Sequence, residues 1–82
     1  MEDIQIICQV QRLLAIIVDN PELRISESTR ATEVPGWDSL AHVNLILALE
    51  REYGIRFSVS EIGVLGDVGE LVELIKRLHS SL

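Results

Sequence analysis

The stretch Gly36-Trp37-Asp38-Ser39-Leu40-Ala41-His42-Val43-Asn44-Leu45-Ile46-Leu47-Ala48-Leu49-Glu50 decides how the rest of the chain is read. Pro35-Gly36 stops whatever precedes it, an acid and a serine follow, and an apolar run at steps of three and four begins. That order marks a helix start, because Asp38 or Ser39 can accept hydrogen bonds from the first unpaired amides. Ser39 lies at the helix mouth, where free N–H groups and the macrodipole favour negative charge. A hydroxyl there suits a phosphate ester. Spacing alone does not separate that role from simple capping, since Ser and Asp are the commonest caps.

The helix is predicted to run over residues 39–53. Gly54 suits the left-handed position just past its end, with Ile55 folding back on Leu49. Leu45, Ile46 and Leu49 share one face and Leu40, Val43 and Leu47 another. Either both faces are buried in a central helix, or one is left for a partner.

Upstream, residues 3–18 read as a first helix capped by Asp3. Ile6, Val10, Leu13, Leu14 and Ile17 form its buried face. Ile4, Ile7, Cys8 and Val18 broaden that face, and Gln5, Gln9, Gln11 and Arg12 mark the opposite side. Pro21 ends the helix at Asn20. Residues 19–38 read as a loop that contains a short helical turn or none, pinned by Leu23, Ile25, Val34 and Trp37. A loop of that length in so short a chain is either functional or a sign of a misassigned element. Downstream, Ile55-Arg56-Phe57 is an extended link. Ser60 is the expected cap of a helical turn from Glu61 to Leu65, which Gly66 breaks. Asp67 and Glu70 have capping-box spacing. The last helix is predicted over 68–79, with Leu71, Val72, Ile75 and Leu78 inward, Lys76, Arg77 and His79 complementing its dipole, and the tail Ser80-Ser81-Leu82 frayed.

Eighty-two residues allow one domain with a modest core. Only Trp37, Tyr53 and Phe57 are aromatic, so Leu, Ile and Val must fill it. A net charge of −6 repels phosphates, which argues against nucleic acid and anionic membranes and favours basic partner surfaces. Cys8, the one cysteine, excludes an intramolecular disulfide. Its apolar setting reads as a buried small hydrophobe. The longest apolar run, Leu13 to Val18, has six residues, far short of the roughly 20 that cross a bilayer. Glu2 and Asp3 stand where a secretion signal would be basic. The expectation is a cytoplasmic protein.

His42 and His79 lie on different helices without metal-ligand spacing. Ser39 and His42 share a helix face, but hydrolysis also needs an oxyanion hole and a pocket for which so short a chain has little room. No glycine pattern cradles a phosphate. The residues by themselves give a small acidic helical domain with an interaction face.

Gly36-Trp37-Asp38-Ser39-Leu40, with a helix that ends Ala48-Leu49-Glu50-Arg51-Glu52-Tyr53-Gly54, resembles an acyl carrier protein. The order of long first helix, long loop, Asp-Ser-Leu helix, short third helix and last helix is that family's order, and it covers essentially the whole chain. The resemblance implies an all-α four-helix bundle of acyl-carrier type, one domain over residues 1–82, with a long loop between helices 1 and 2. Ser39 is then the attachment point for 4′-phosphopantetheine, delivered from coenzyme A by a phosphopantetheinyl transferase, and Asp38 both caps the helix and helps that enzyme engage. The arm carries acyl groups as thioesters. The chain itself is no enzyme but a carrier that serves separate acyl-loading and acyl-processing enzymes, and the expected state is a monomer. Leu40, Val43, Leu47, Glu50, Arg51 and, on the third helix, Ile62 are the partner-binding residues that the resemblance implies. Trp37 is expected to anchor the loop. Asn44 and Arg51 stand where many fatty-acid-type carriers have acids, which turns the expectation towards a specialised lipid, polyketide or modified-sugar pathway. A chain from Met1 to residue 82 is expected to be a discrete carrier. An aminoacyl or peptidyl carrier and an unmodified helical adaptor are the competing readings.

Overall fold

The computed structural model describes residues 2–63 and 65–80. Four helices follow one another: α1 Asp3–Ile17, α2 Ser39–Tyr53, α3 Val59–Gly63 and α4 Val68–Ser80, with a 3-10 turn at Ala31–Glu33 before α2. The described elements are all helical, as the periodicity predicts.

Helix α1 buries Ile6, Val10 and Leu14 completely, a stripe at steps of four. Leu13 and Ile17 are half-buried beside it. Two expectations fail here. Cys8 is exposed rather than a core hydrophobe, and Ile4 is exposed with it. Cys8 is two residues on from Ile6, about 200° round the helix, so it points away from the core whatever its polarity. The start also differs. Asp3 is the first helical residue rather than the cap, and the Glu2 amide, not a side chain of Asp3, is held by Gln5 Oε1 at 3.0 Å. Asp3 instead binds Lys76 Nζ at 2.8 Å and ties α1 to α4. At the other end, Asp19 adopts the left-handed region (φ 56°). The Asp19 and Asn20 amides donate to the Ile16 and Ala15 carbonyls at 3.2 and 2.9 Å. That is a Schellman ending built on aspartate, and Pro21 only follows it.

The loop between α1 and α2 is pinned as expected by buried Leu23, Val34 and Trp37 and half-buried Ile25. It also does something that no local pattern announces. The carbonyls of Thr29 and Glu27 accept the Val68 and Gly69 amides at 2.9 and 2.7 Å. The loop backbone thereby satisfies two of the orphan donors at the α4 start. Gly69 makes this possible, because a Cβ there would lie 3.0 Å from the Glu27 carbonyl oxygen.

Helix α3 starts earlier than expected. Ser58, not Ser60, caps it: Ser58 Oγ accepts from the Glu61 amide at 3.2 Å while Glu61 Oε1 accepts from the Ser58 amide at 3.0 Å. The reciprocal pair is a capping box, and it places the helix at 59–63 instead of 61–65; residue 64 of the expected turn lies outside the described residues. In α4, Asp67 Oδ1 caps the Glu70 amide at 2.9 Å, but the Glu70 carboxylate accepts from Gly66 rather than closing the box on Asp67. Val68, Leu71, Val72, Leu74 and Ile75 are buried, and the helix includes Ser80. Ser81 and Leu82 of the expected frayed tail lie outside the described residues. Among the described residues the core holds no buried polar or charged side chain.

Candidate functional site

The start of α2 is built from the turn before it. Gly36 has φ 89°, and a Cβ there would crowd Val18 at 3.3 Å. Only glycine combines that backbone with that approach to the end of α1. The Trp37 amide then donates to the Val34 carbonyl at 3.1 Å, and Trp37 drops into the core. It anchors the loop, as expected. Asp38 is extended and caps the helix, its Oδ1 accepting the Ala41 amide at 2.9 Å. The first intrahelical bond runs from the His42 amide to the Asp38 carbonyl at 2.9 Å. The amides of Ser39 and Leu40 precede that bond, and both residues are exposed.

Ser39 is therefore the first residue of α2, a solvent-facing hydroxyl where the helix dipole is positive. The arrangement can receive a phosphate ester: the oxygen is accessible, and the local field and adjacent amides favour an anion. Asp38 adds a nearby like charge, and one of its carboxylate oxygens, Oδ1, is taken by the Ala41 amide.

His42 does not serve as a base for Ser39 here. Its Nδ1 accepts the Trp37 indole N–H at 3.1 Å, and the two rings lie 6.0 Å apart and 27° from coplanar. Burial holds the imidazole below its ordinary titration range, with the Ile62 backbone opposing that shift. No local pattern announces this contact, which joins a loop residue to a helix residue five positions on.

The second face of α2 is open. Leu40, Val43 and Leu47 are 70, 51 and 52 % exposed, whereas Leu45, Ile46 and Leu49 are buried. The two-face alternative thus resolves into one core face and one solvent face. Ile62 is half-buried on α3, and Asn44 and Arg51 are exposed on α2. Glu50 is partly spent on structure, since its Oε2 accepts the Phe57 amide at 2.9 Å and holds the link after Gly54. Arg51 and Arg56 flank the same cleft, of about 520 Å³, with Leu47. The far end of the exposed face thus carries two arginines beside Glu50. Among the described residues no helix is long and apolar enough to cross a membrane. Among the described residues no cluster of three or more His, Cys, Asp or Glu could hold a metal ion.

Residues 4–75 match the family described as phosphopantetheine attachment site. The chain is 34% identical over its full length to an acyl carrier protein of Saccharopolyspora erythraea, covering 86% of that protein. It also superposes on a solution NMR structure of holo acyl carrier protein from Geobacter metallireducens with a TM-score of 0.83, at 29% identity, over 92% of this chain and 86% of that one. Family, fold and helix order agree, and the chain belongs to the acyl carrier proteins, the phosphopantetheine-attachment family whose prosthetic group is phosphopantetheine.

Proposed function

We propose that Ser39 is the residue that carries the 4′-phosphopantetheine arm, and that the chain delivers acyl groups to the enzymes of a specialised lipid, polyketide or related pathway. The observation that carries this reading is the open α2 start, where an exposed serine follows an aspartate cap and the next amides are uncovered. When bound, the arm supplies a terminal thiol that holds an acyl group as a thioester. The chain's own part is positioning. Asp38 fixes the helix start and presents a carboxylate to the phosphopantetheinyl transferase. Ser39 offers its oxygen to solvent. Leu40, Val43 and Leu47 on α2 and Ile62 on α3 give visiting enzymes an apolar seat beside the attachment point. Glu50 and Arg51 flank the far end of that seat. There Arg51 and Arg56 give the cleft beside Leu47 a positive rim that favours partners with a carboxylate opposite it.

The test is intact mass after incubation with coenzyme A and a promiscuous phosphopantetheinyl transferase. The expected result is a gain of one phosphopantetheine in the wild type and none in Ser39→Ala. A gain that survives Ser39→Ala sinks the assignment.

A further inference from the structure

Trp37 and His42 are joined across the α2 start by the 3.1 Å bond from indole N–H to imidazole Nδ1. Acceptance at Nδ1 requires a bare nitrogen there, so the ring proton sits on Nε2. With Asp38, Ser39, Ala31 and Leu65, the pair lines a hollow of about 260 Å³ next to the serine. The Ile62 backbone in α3 also acts on the His42 ring and favours its charged form. Helix α3 buries no side chain fully. Its attachment rests on half-buried Ile62, packed against the core, together with the Glu61–Arg77 pair at 3.1 Å on α4.

We propose that the Trp37–His42 contact is a proton-operated latch on the Ser39 turn, and that negative charge placed on Ser39 releases it. A proton taken from water by Nδ1 occupies the lone pair that accepts from Trp37. The imidazolium then has two donors and no acceptor, and the partly buried indole N–H loses its partner. Ser39 precedes His42 by three residues, on the same helix face. A phosphodiester at Ser39 brings an anion next to the ring and favours the protonated form. Burial opposes it and keeps the latch shut in the unmodified chain. Of the charged groups, Asp38 on the turn lines the hollow with the ring, while Glu61, next to Ile62 in the α3 sequence, is paired with Arg77 of α4. All three are the same before and after modification, so the charge on Ser39 is the one variable. The latch itself stands on geometry; its coupling to the arm rests on Ser39 being the attachment residue.

Trp37 is the only tryptophan, so its fluorescence reports the latch directly. The emission is titrated from about pH 8 to about pH 5, the range in which histidine changes charge. The samples are the unmodified chain, the holo chain verified by mass, and Ser39→Glu, which supplies a negative group without the arm. The expected result is one transition on the acid side of 6.5 in the unmodified chain, moved to higher pH in both charged forms. A twofold or larger rise in the open fraction at about pH 6 is the effect expected of one added charge near the ring. His42→Gln retains an acceptor but cannot titrate, so it abolishes the transition, while His79→Gln leaves it in place. The His42 ring-proton NMR shift gives the same midpoints with no substitution at His42. Circular dichroism recorded alongside separates latch opening from unfolding. An unmodified chain without a His42-dependent transition overturns the latch. Equal midpoints in the unmodified and Ser39→Glu chains overturn the coupling. Failure to gain mass sinks the attachment reading alone, because Ser39→Glu still decides the coupling.

Discussion

Helices α2 and α4 begin alike and finish in opposite surroundings. Each is opened by an aspartate whose Oδ1 caps an amide three residues on, Asp38 to Ala41 and Asp67 to Glu70, both at 2.9 Å. At α4 the next two amides, on Val68 and Gly69, are covered by loop carbonyls, and Val68 is fully buried. At α2 the corresponding residues, Ser39 and Leu40, face solvent. The cap builds a helix start in either place. What lies over the start decides whether it can be reached by another molecule.

The strongest way to break this contrast is to move the serine. Val68→Ser in a Ser39→Ala background puts a serine directly after Asp67, as Ser39 follows Asp38. The expected outcome is no phosphopantetheine gain by intact mass under conditions that convert the wild type completely. The lost burial costs on the order of 2 kcal/mol, so helicity is checked by circular dichroism before the assay. Modification at that position would show that accessibility does not separate the two starts.

A smaller effect comes from the caps. Asp38→Ala and Asp67→Ala each remove one equivalent hydrogen bond, so each is expected to cost about 1 kcal/mol in urea denaturation. Only Asp38→Ala is expected to slow the transferase on Ser39. Equal slowing by Asp67→Ala would mean that loss of stability, not the local aspartate, controls modification.

The smallest effect sharpens the comparison at the open start, where His42 is half-buried and α4 has no counterpart to it. Its folded-state titration lies below the ordinary value of 6.5, so the unfolded chain binds the proton first. The stability linked to neutral His42 is full above 6.5 and is lost as pH falls through the folded-state value. The wild type should therefore lose more of its melting temperature between about pH 7.5 and about pH 5.5 than His42→Gln does. The carboxylates are common to both proteins, so their contribution cancels in the difference. Equal losses would remove His42 from the account.

Much of this molecule was legible in local pattern, and the exceptions have a shared cause. The Asp38 cap, the left-handed Gly54 (φ 65°) and the split of α2 into a core face and an open face all follow from spacing within one element. The covering of the α4 start joins residues about forty positions apart through backbone atoms, which carry no residue-type signal. The Trp37–His42 bond crosses from loop to helix, and the Glu50–Phe57 bond crosses the turn at Gly54. At Cys8 residue type and helical phase disagree: the side chain suits a core, but its place on the far side of α1 keeps it in solvent. At α3 two serines competed for the cap, and Glu61 chose Ser58 because three residues is the reach of a reciprocal box.

The outward position of Cys8 has a practical consequence. The chain has one thiol of its own, and it stands exposed on α1, on a different helix from Ser39. A phosphopantetheine arm adds a second. A colorimetric thiol titration of the native protein therefore reads occupancy directly, one equivalent per chain before modification and two after. A thiol-selective dye attached before modification marks α1 alone and leaves the arm free to be labelled later with another colour. The same exposure calls for reductant in storage, since a surface thiol on one molecule and an arm thiol on another can close a mixed disulfide in air.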